Sequence, residues 1–372
     1  MLKTVKSVDN FSIRERIPRN MCDMRLALGQ VATTGDKAAN LETVCAWVKR
    51  AAEQHADLII FPEATMQAFG TGPLYQAAEP LDGPFVQALA RCAKEYQIGI
   101  VAGIFTPPTD GTGAADAEPA TTVGYSGNGG QGSVEKLGSQ ATNAANTVAN
   151  VAVVCLPDGR VAGYEKIHTY DAFAYRESEE VTAGQKLVLV PYQDVTIGLA
   201  ICYDLRFPEM FRELARRGAQ IIVVPVSWAA GPGKAMQRHV LAQARALDST
   251  SMLVVVDHPL PSAEAAGAAT GDVATGTTDA TGTTDATCTT AAAGTAKTAP
   301  AALHVAPTGI GESTVIAANG EVLARLDATE QLAIVDIDPD SITQVRAQLP
   351  VLQVNYDYAA FDTGSIQQSP AQ

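Results

Sequence analysis

At 372 residues with 47% hydrophobic content, the chain can bury a sizeable core, as one large α/β domain or as two or three ordinary ones. A formal net charge of −14 argues against a surface built for nucleic acid or anionic membrane, although a local Arg or Lys can still hold a small anion. Six scattered cysteines with no CxxC pair argue against a disulfide framework or a zinc knuckle and point to reduced thiols in a cytoplasmic protein.

Residues 1–22 read as a polar N-terminal extension. They carry charges throughout and lack the apolar stretch of a secretory signal. No apolar run approaches the roughly 20 residues of a membrane span. Met24 to Val31 is the first expected strand. Asp36 to Gln54 is a helix, with Ala39, Val44, Trp47, Val48 and Ala51 on a helical period. Asp57 to Phe61 is a short continuous apolar run, as in a strand covered on both faces, and it ends in Pro62-Glu63. Phe85 to Tyr96 has a helical pattern and Gly99 to Phe105 a strand pattern.

A segment of about 106–145, rich in Gly, Ala, Thr, Ser and Pro, reads as a surface insertion of weak order. Beyond it, Thr147 to Leu156 and Val161 to Lys166 form two strands around the turn Pro157-Asp158-Gly159. Leu187 to Pro191 and Val195 to Ile201 are further strands. Pro208 to Gly218 is a helix with Pro in its first turn and Gly at its end. The strand Ile221 to Val226, the helix Lys234 to Leu247 and the strand Met252 to Val256 follow. A second insertion, about 260–304, consists of Ala, Thr, Gly and Asp in near-repeats and has almost no apolar bulk with which to order itself. Strands resume at Ser313 to Ala317, Glu321 to Leu326 and Leu332 to Ile337. A last helix follows Asp338-Pro339, and 351–372 is a polar tail. The same style of strand on both sides of each insertion predicts a single domain over 23–350, with helices on both sides of stacked sheets.

Three chemically competent residues fall at strand ends, where α/β architectures place their ligands: Glu63, Lys166 and Cys202. Together they suit acyl transfer. A thiolate attacks an amide or nitrile carbon, a carboxylate relays the proton, and an ammonium stabilises the oxyanion. Singly, each has an ordinary explanation: a small core thiol, a solvated carboxylate, a snorkelling lysine. The start of a helix after Cys202 would also favour a thiolate. The sequence places that start near Phe207-Pro208, about a turn late, which leaves the activation to Glu63 and Lys166. No histidine pair has metal spacing. His168 suits a structural hydrogen bond, and His239 lies in mid-helix.

Phe61-Pro62-Glu63-Ala64, Tyr164-Glu165-Lys166-Ile167-His168 and Cys202-Tyr203-Asp204-Leu205-Arg206-Phe207-Pro208-Glu209 resemble, in order, the three signature regions of the nitrilase superfamily of carbon–nitrogen hydrolases. The last run is similar to the branch of omega-amidase and the deaminated-glutathione amidases. The resemblance implies a four-layer αββα sandwich, a homodimer or higher homo-oligomer, and no metal or organic cofactor. It also implies a Glu63–Lys166–Cys202 triad, with Glu177 as an assisting or structural acid and the Tyr203 N–H in the oxyanion hole. Trp228 would line the acyl site. Arg206 would pair either with a substrate carboxylate or with Glu209 or another acid of the fold. The stretch Ala246-Leu247-Asp248-Ser249 departs from the Glu-Asn more usual after this helix.

The expected activity is hydrolysis of a small amide, an omega-amide of a carboxylic acid, with release of ammonia through a thioester. A nitrilase or N-carbamoyl hydrolase would use the same triad, and a reading of another class is a non-catalytic scaffold of the same fold. The expected partner is a small-molecule amide, with neither nucleic acid nor membrane.

Overall fold

The computed structural model describes residues 24–108, 122–124, 146–172, 175–261 and 307–354. The N-terminal extension, most of both insertions and residues 355–372 of the tail lie outside them. Two sheets carry the fold. The first is built on β1 (Met24–Gln30), β2 (Leu58–Ile60) and β3 (Gly99–Thr106), which run parallel. Antiparallel neighbours complete it: β5 (Ala149–Cys155) and β6 (Val161–Glu165) beyond β3, and β15 (Gln331–Ile337) beside β1.

The second sheet has a parallel centre of β10 (Val195–Leu199), β11 (Ile221–Pro225) and β12 (Met252–Val256). It is extended by β13 (Thr314–Ile316) and β14 (Val322–Arg325) on one side. On the other side lie β9 (Lys186–Tyr192) and a short edge strand, β4 (Thr122–Gly124). Strand β4 lies inside the first insertion and was not expected from its composition.

Strand alternation sorts the core into layers. In the first sheet Leu26, Leu28, Leu58, Ile60, Val101 and Val154 face the second sheet and pack with Ile197, Leu199, Val223 and Val254. Their neighbours Ala27, Ile59, Ile100, Ala102 and Val153 face the opposite way. There they meet α1 (Lys37–Glu53) and α3 (Pro84–Tyr96). The outer face of the second sheet is covered by α4 (Pro208–Arg216) and α5 (Lys234–Ser249). The result is the expected four-layer αββα sandwich.

Local chemistry sets the helix ends. The Asp36 carboxylate accepts from the N–H groups of Ala38 and Ala39 at 2.9 and 3.1 Å and caps α1. Pro84 and Pro208 occupy the first turns of α3 and α4. Four small features were not anticipated: α2 (Leu74–Ala77), the short antiparallel pair of β7 (Asp171–Ala172) with β8 (Tyr175–Arg176), and 3-10 turns at Glu177–Glu179 and at Cys202–Arg206. A last helix, α6 (Asp340–Gln348), closes the described chain.

This topology places the site. The parallel strands of both sheets deliver their C-terminal ends to one region. Beyond β1 comes Val31, beyond β2 Glu63, beyond β10 Cys202, beyond β11 Ser227 and Trp228, and beyond β12 Asp257 and His258.

Candidate active site

Glu63 follows Phe61-Pro62 at the end of β2. Ala64 takes a left-handed φ of 56°, so the chain turns sharply there. Gly103 on β3 makes room for the turn, because a Cβ at that position would stand 2.4 Å from the Ala64 nitrogen and 2.6 Å from the Glu63 Cα. The Glu63 side chain is buried and accepts three hydrogen bonds. They come from Lys166 Nζ at 2.9 Å, Asn150 Nδ2 at 2.8 Å and the Ser227 N–H at 2.9 Å.

Lys166 stands just beyond β6. It too is buried, and its ammonium is clamped between Glu63 and both oxygens of Glu177, the latter at 2.9 and 2.8 Å. Burial alone pulls the lysine pKa down. Glu177 and Glu63 overcome that pull and hold it well above the ordinary value, so Lys166 is a fixed cation. Glu177 also receives the Tyr170 N–H at 2.7 Å and Asn150 Nδ2 at 3.0 Å. Burial pushes its pKa up, while Lys166 pulls it back. A second close approach lies underneath: a Cβ on Gly184 would meet the Glu165 carbonyl oxygen at 2.3 Å.

Cys202 opens the 3-10 turn Cys202–Arg206, with a left-handed φ of 43°. Such backbone costs roughly 1–3 kcal/mol and persists only where its surroundings impose it. The expectation that helical structure starts too late to reach the cysteine is corrected here. The chain enters a 3-10 turn at Cys202 itself, because the Asp204 carboxylate accepts the Ile201 N–H at 2.8 Å and folds the segment back. Tyr203 is therefore the second residue of a helical turn, where N–H groups have no acceptor within the turn.

Cys202 is buried, and its Sγ is 3.7 Å from the Ser227 carbonyl oxygen. Burial raises its pKa well above the ordinary value. Glu63 reinforces the rise through charge and a hydrogen bond, and Lys166 opposes it. The resting sulfur is a thiol beside a carboxylate, not a preformed thiolate.

Glu63, Lys166, Glu177 and Cys202 line one pocket, and Tyr203, Arg206 and Trp228 line it with them. Arg206 does not pair with Glu209. Its guanidinium donates to the neutral Gln237 amide at 2.9 Å and lies over the rings of Tyr203 and Trp228 at 5.8 and 5.6 Å. Lys234, at the start of α5, joins the same wall. Burial and the neighbouring Arg206 both pull its pKa down.

Buried hydrogen bonds and ion pairs beside the pocket hold its shape. Asp204 is fully buried and accepts from Tyr164 Oη at 2.7 Å, besides meeting His168 Nδ1 at 2.7 Å. His168 thus has the structural bond expected of it, and it stacks on Phe207. Arg238 and Asp257 form a buried ion pair at 2.5 Å. Asp257 also takes the N–H groups of Trp228, His258 and Ile310, while burial pushes its pKa up to about 7 against the pull of Arg238. His239 contacts Glu312 at 2.6 Å.

Sequence reasoning missed Asn150, Lys234, Asp257 and His258. Asn150 has one weak signal, as the only polar residue in the apolar strand Ala149–Cys155. Among the described residues, no cluster of three or more His, Cys, Asp and Glu side chains is arranged to hold a metal ion. Among the same residues, no helix is long and apolar enough to cross a membrane.

Comparison with known proteins places this geometry in a family. Residues 25–347 match the family model for carbon-nitrogen hydrolases. The chain is 37% identical over 339 residues to a hydrolase of Mycobacterium tuberculosis, covering 91% of this chain and 98% of that protein. It is 28% identical over 332 residues to the deaminated glutathione amidase of Escherichia coli O157:H7, covering 88% of this chain and 96% of that one. A crystal structure from Saccharomyces cerevisiae, of a member of branch 10 of the nitrilase superfamily, has the same fold. It superposes with a TM-score of 0.60 at 19% identity, over 88% of this chain and 94% of its own. The family match runs from the first strand into the last described helix, and the chain belongs to the carbon-nitrogen hydrolase family.

Proposed function

We propose that the protein is a cysteine-dependent amidase that releases ammonia from a small amide bearing a carboxylate, through a thioester on Cys202. The observation that carries this reading is the Lys166 ammonium, clamped by Glu63 and Glu177 inside the pocket that Cys202 lines.

In the proposed reaction, Glu63 takes the thiol proton as Cys202 Sγ bonds to the amide carbon. The carbonyl oxygen becomes an oxyanion facing Lys166 and the Tyr203 N–H. Glu63 passes its proton to the amide nitrogen, the C–N bond breaks and ammonia leaves. A water then gives a proton to Glu63 and its hydroxyl to the thioester carbon. The C–S bond breaks, the acid departs, and the proton returns to sulfur. Because the resting thiol is held protonated, the charge shift happens only with substrate in place. Glu177 positions Lys166 throughout. Arg206 takes the substrate carboxylate, and Trp228 walls the acyl chain. The amidase name of the Escherichia coli relative supports the amide class.

Ammonia release across a panel of omega-amides, N-carbamoyl compounds and nitriles tests the reading. Turnover of carboxylated amides is expected, with loss of activity in Cys202→Ala. Equal turnover by Cys202→Ala would exclude the thiol mechanism. Turnover confined to nitriles or N-carbamoyl compounds would move the assignment to those classes. No turnover on any member would favour the scaffold.

A further inference from the structure

Two cysteines outside the pocket are in contact. Cys45 lies on α1 and Cys92 on α3, two helices that pack together over the first sheet. The residues are 47 positions apart in sequence, and their Sγ atoms are 2.9 Å apart. Closing that gap by less than about 1 Å reaches the bonded length of a disulfide, about 2.05 Å. Both side chains are half-buried, so a small reagent reaches them without unfolding the protein. The other two described cysteines offer no such arrangement. Cys155 is buried within β5, with its thiol pushed up to about 12 by burial, and Cys202 belongs to the pocket.

We propose that Cys45 and Cys92 form a redox-modification site, a dithiol that a hydroperoxide converts into a disulfide stapling α1 to α3. The two sulfurs have distinct roles. The hydrogen bond with Cys45 lowers the pKa of Cys92, and Arg91 lowers it further, against burial and Glu95. The same hydrogen bond, with burial, pushes Cys45 far up. One thiol of the contact keeps its proton while the other acts as the thiolate, the form that attacks, and the adjacent Arg91 favours Cys92 in that role.

The chemistry balances in two steps. The Cys92 thiolate bonds to one peroxide oxygen as the O–O bond breaks. The other oxygen leaves and is protonated to water or an alcohol, and Cys92 becomes a sulfenic acid. Cys45 sulfur then bonds to Cys92 sulfur as the S–O bond breaks, and the hydroxyl departs as water with the Cys45 proton. The two thiols lose two electrons and the hydroperoxide gains them. The site acts independently of the amidase reading.

The test treats the full chain with hydrogen peroxide, alkylates the remaining thiols and maps peptides without reduction. The expected product is one cross-linked pair containing Cys45 and Cys92, lighter by two hydrogens and reversed by dithiothreitol. In Cys45→Ser no cross-link forms, and dimedone traps a sulfenic acid on Cys92. In Cys92→Ser, Cys45 stays fully alkylatable at the same dose. Full alkylation of both wild-type residues at a dose that oxidises Cys202 would overturn the proposal. So would conversion of Cys92 to a sulfinic acid without linkage to Cys45. If either serine variant fails to fold, the wild-type map decides alone.

Discussion

The floor and the mouth of the pocket are built on opposite electrostatic plans. At the floor, Glu63, Lys166 and Glu177 are all buried, two carboxylates share one ammonium, and Asn150 donates to both acids. At the mouth, Arg206 and Lys234 stand on the same wall, and Arg206 rests on a neutral amide and two aromatic rings. Buried charges are tolerable when they are matched and hydrogen-bonded, as they are at the floor. The floor is therefore a preorganised device that gains little from any particular substrate. The cationic mouth gains from a substrate that brings negative charge. On the proposed reading, the floor governs the rate of the chemistry and the mouth governs which amide enters.

The largest effect expected from breaking this division is at the floor. Lys166→Met is expected to lower kcat about 10²–10³-fold, the range for loss of an oxyanion donor, with KM nearly unchanged. Two carboxylates are then left without their shared cation, so folding is checked by circular dichroism beside the kinetics. The same variant has a second signature at the sulfur. The wild-type thiol is held well above its ordinary pKa, so its alkylation by iodoacetamide should climb about tenfold per pH unit between about pH 6 and 9, with no plateau near neutrality. Lys166 is the cation that opposes this rise, and its removal should slow alkylation of Cys202 at every pH in that window. A folded Lys166→Met protein with wild-type kcat would remove the lysine from the chemistry.

A smaller effect is expected at the mouth, and on the other kinetic constant. Arg206→Leu should raise KM for a carboxylated amide about 10–100-fold, the worth of a hydrogen bond to a charged group, and leave kcat within a few-fold of wild type. An uncharged amide of similar size should show no such penalty. Equal KM changes for both substrates would mean that Arg206 shapes the wall through Gln237, Tyr203 and Trp228 without reading the substrate charge.

The two regions also differed in how far they could be read from sequence. The floor residues Glu63 and Lys166 follow short, strongly patterned strands, and strand-end placement is a local property. The partners that make the floor work are not local. Asn150 sits inside a strand where a polar residue reads as a flaw, and Glu177 lies in an acidic loop where any of three acids fits the pattern. At the mouth, Lys234 and Gln237 lie on the first turn of a helix that packs against the Cys202 turn through tertiary contact alone. The start of helical structure at Cys202 escaped notice for a related reason. It depends on Asp204 turning back to the Ile201 N–H, a side-chain bond that hydrophobic periodicity does not encode. The Cys45–Cys92 contact joins two helices whose separate patterns carry no hint of it.

The smallest expected effect lies beneath the floor, at His258. Its ring spans two backbone carbonyl oxygens, that of Val31 at 2.9 Å from Nδ1 and that of Glu63 at 2.6 Å from Nε2. Two carbonyl acceptors call for two N–H donors, which only the imidazolium has. Burial pulls the other way and prevails, holding the pKa below its ordinary value. The neutral ring donates to one carbonyl, and the shorter contact assigns that bond to Glu63. His258 thus anchors the backbone that carries the proposed base without touching substrate. His258→Leu should leave the Glu63 carbonyl without its donor, at about 1–3 kcal/mol of stability, and lower kcat a few-fold at unchanged KM. His258→Gln, which keeps an N–H₂ donor, should recover most of both. The pH dependence has a definite sign. A lowered folded-state pKa means that the unfolded chain takes up the proton first. The contribution of His258 to stability is therefore full above about pH 6.5 and is lost as pH falls below it. Thermal melts from pH 7.5 down to pH 5.5 should show wild type losing stability faster than His258→Gln. Parallel curves would mean that the ring does not change protonation on unfolding.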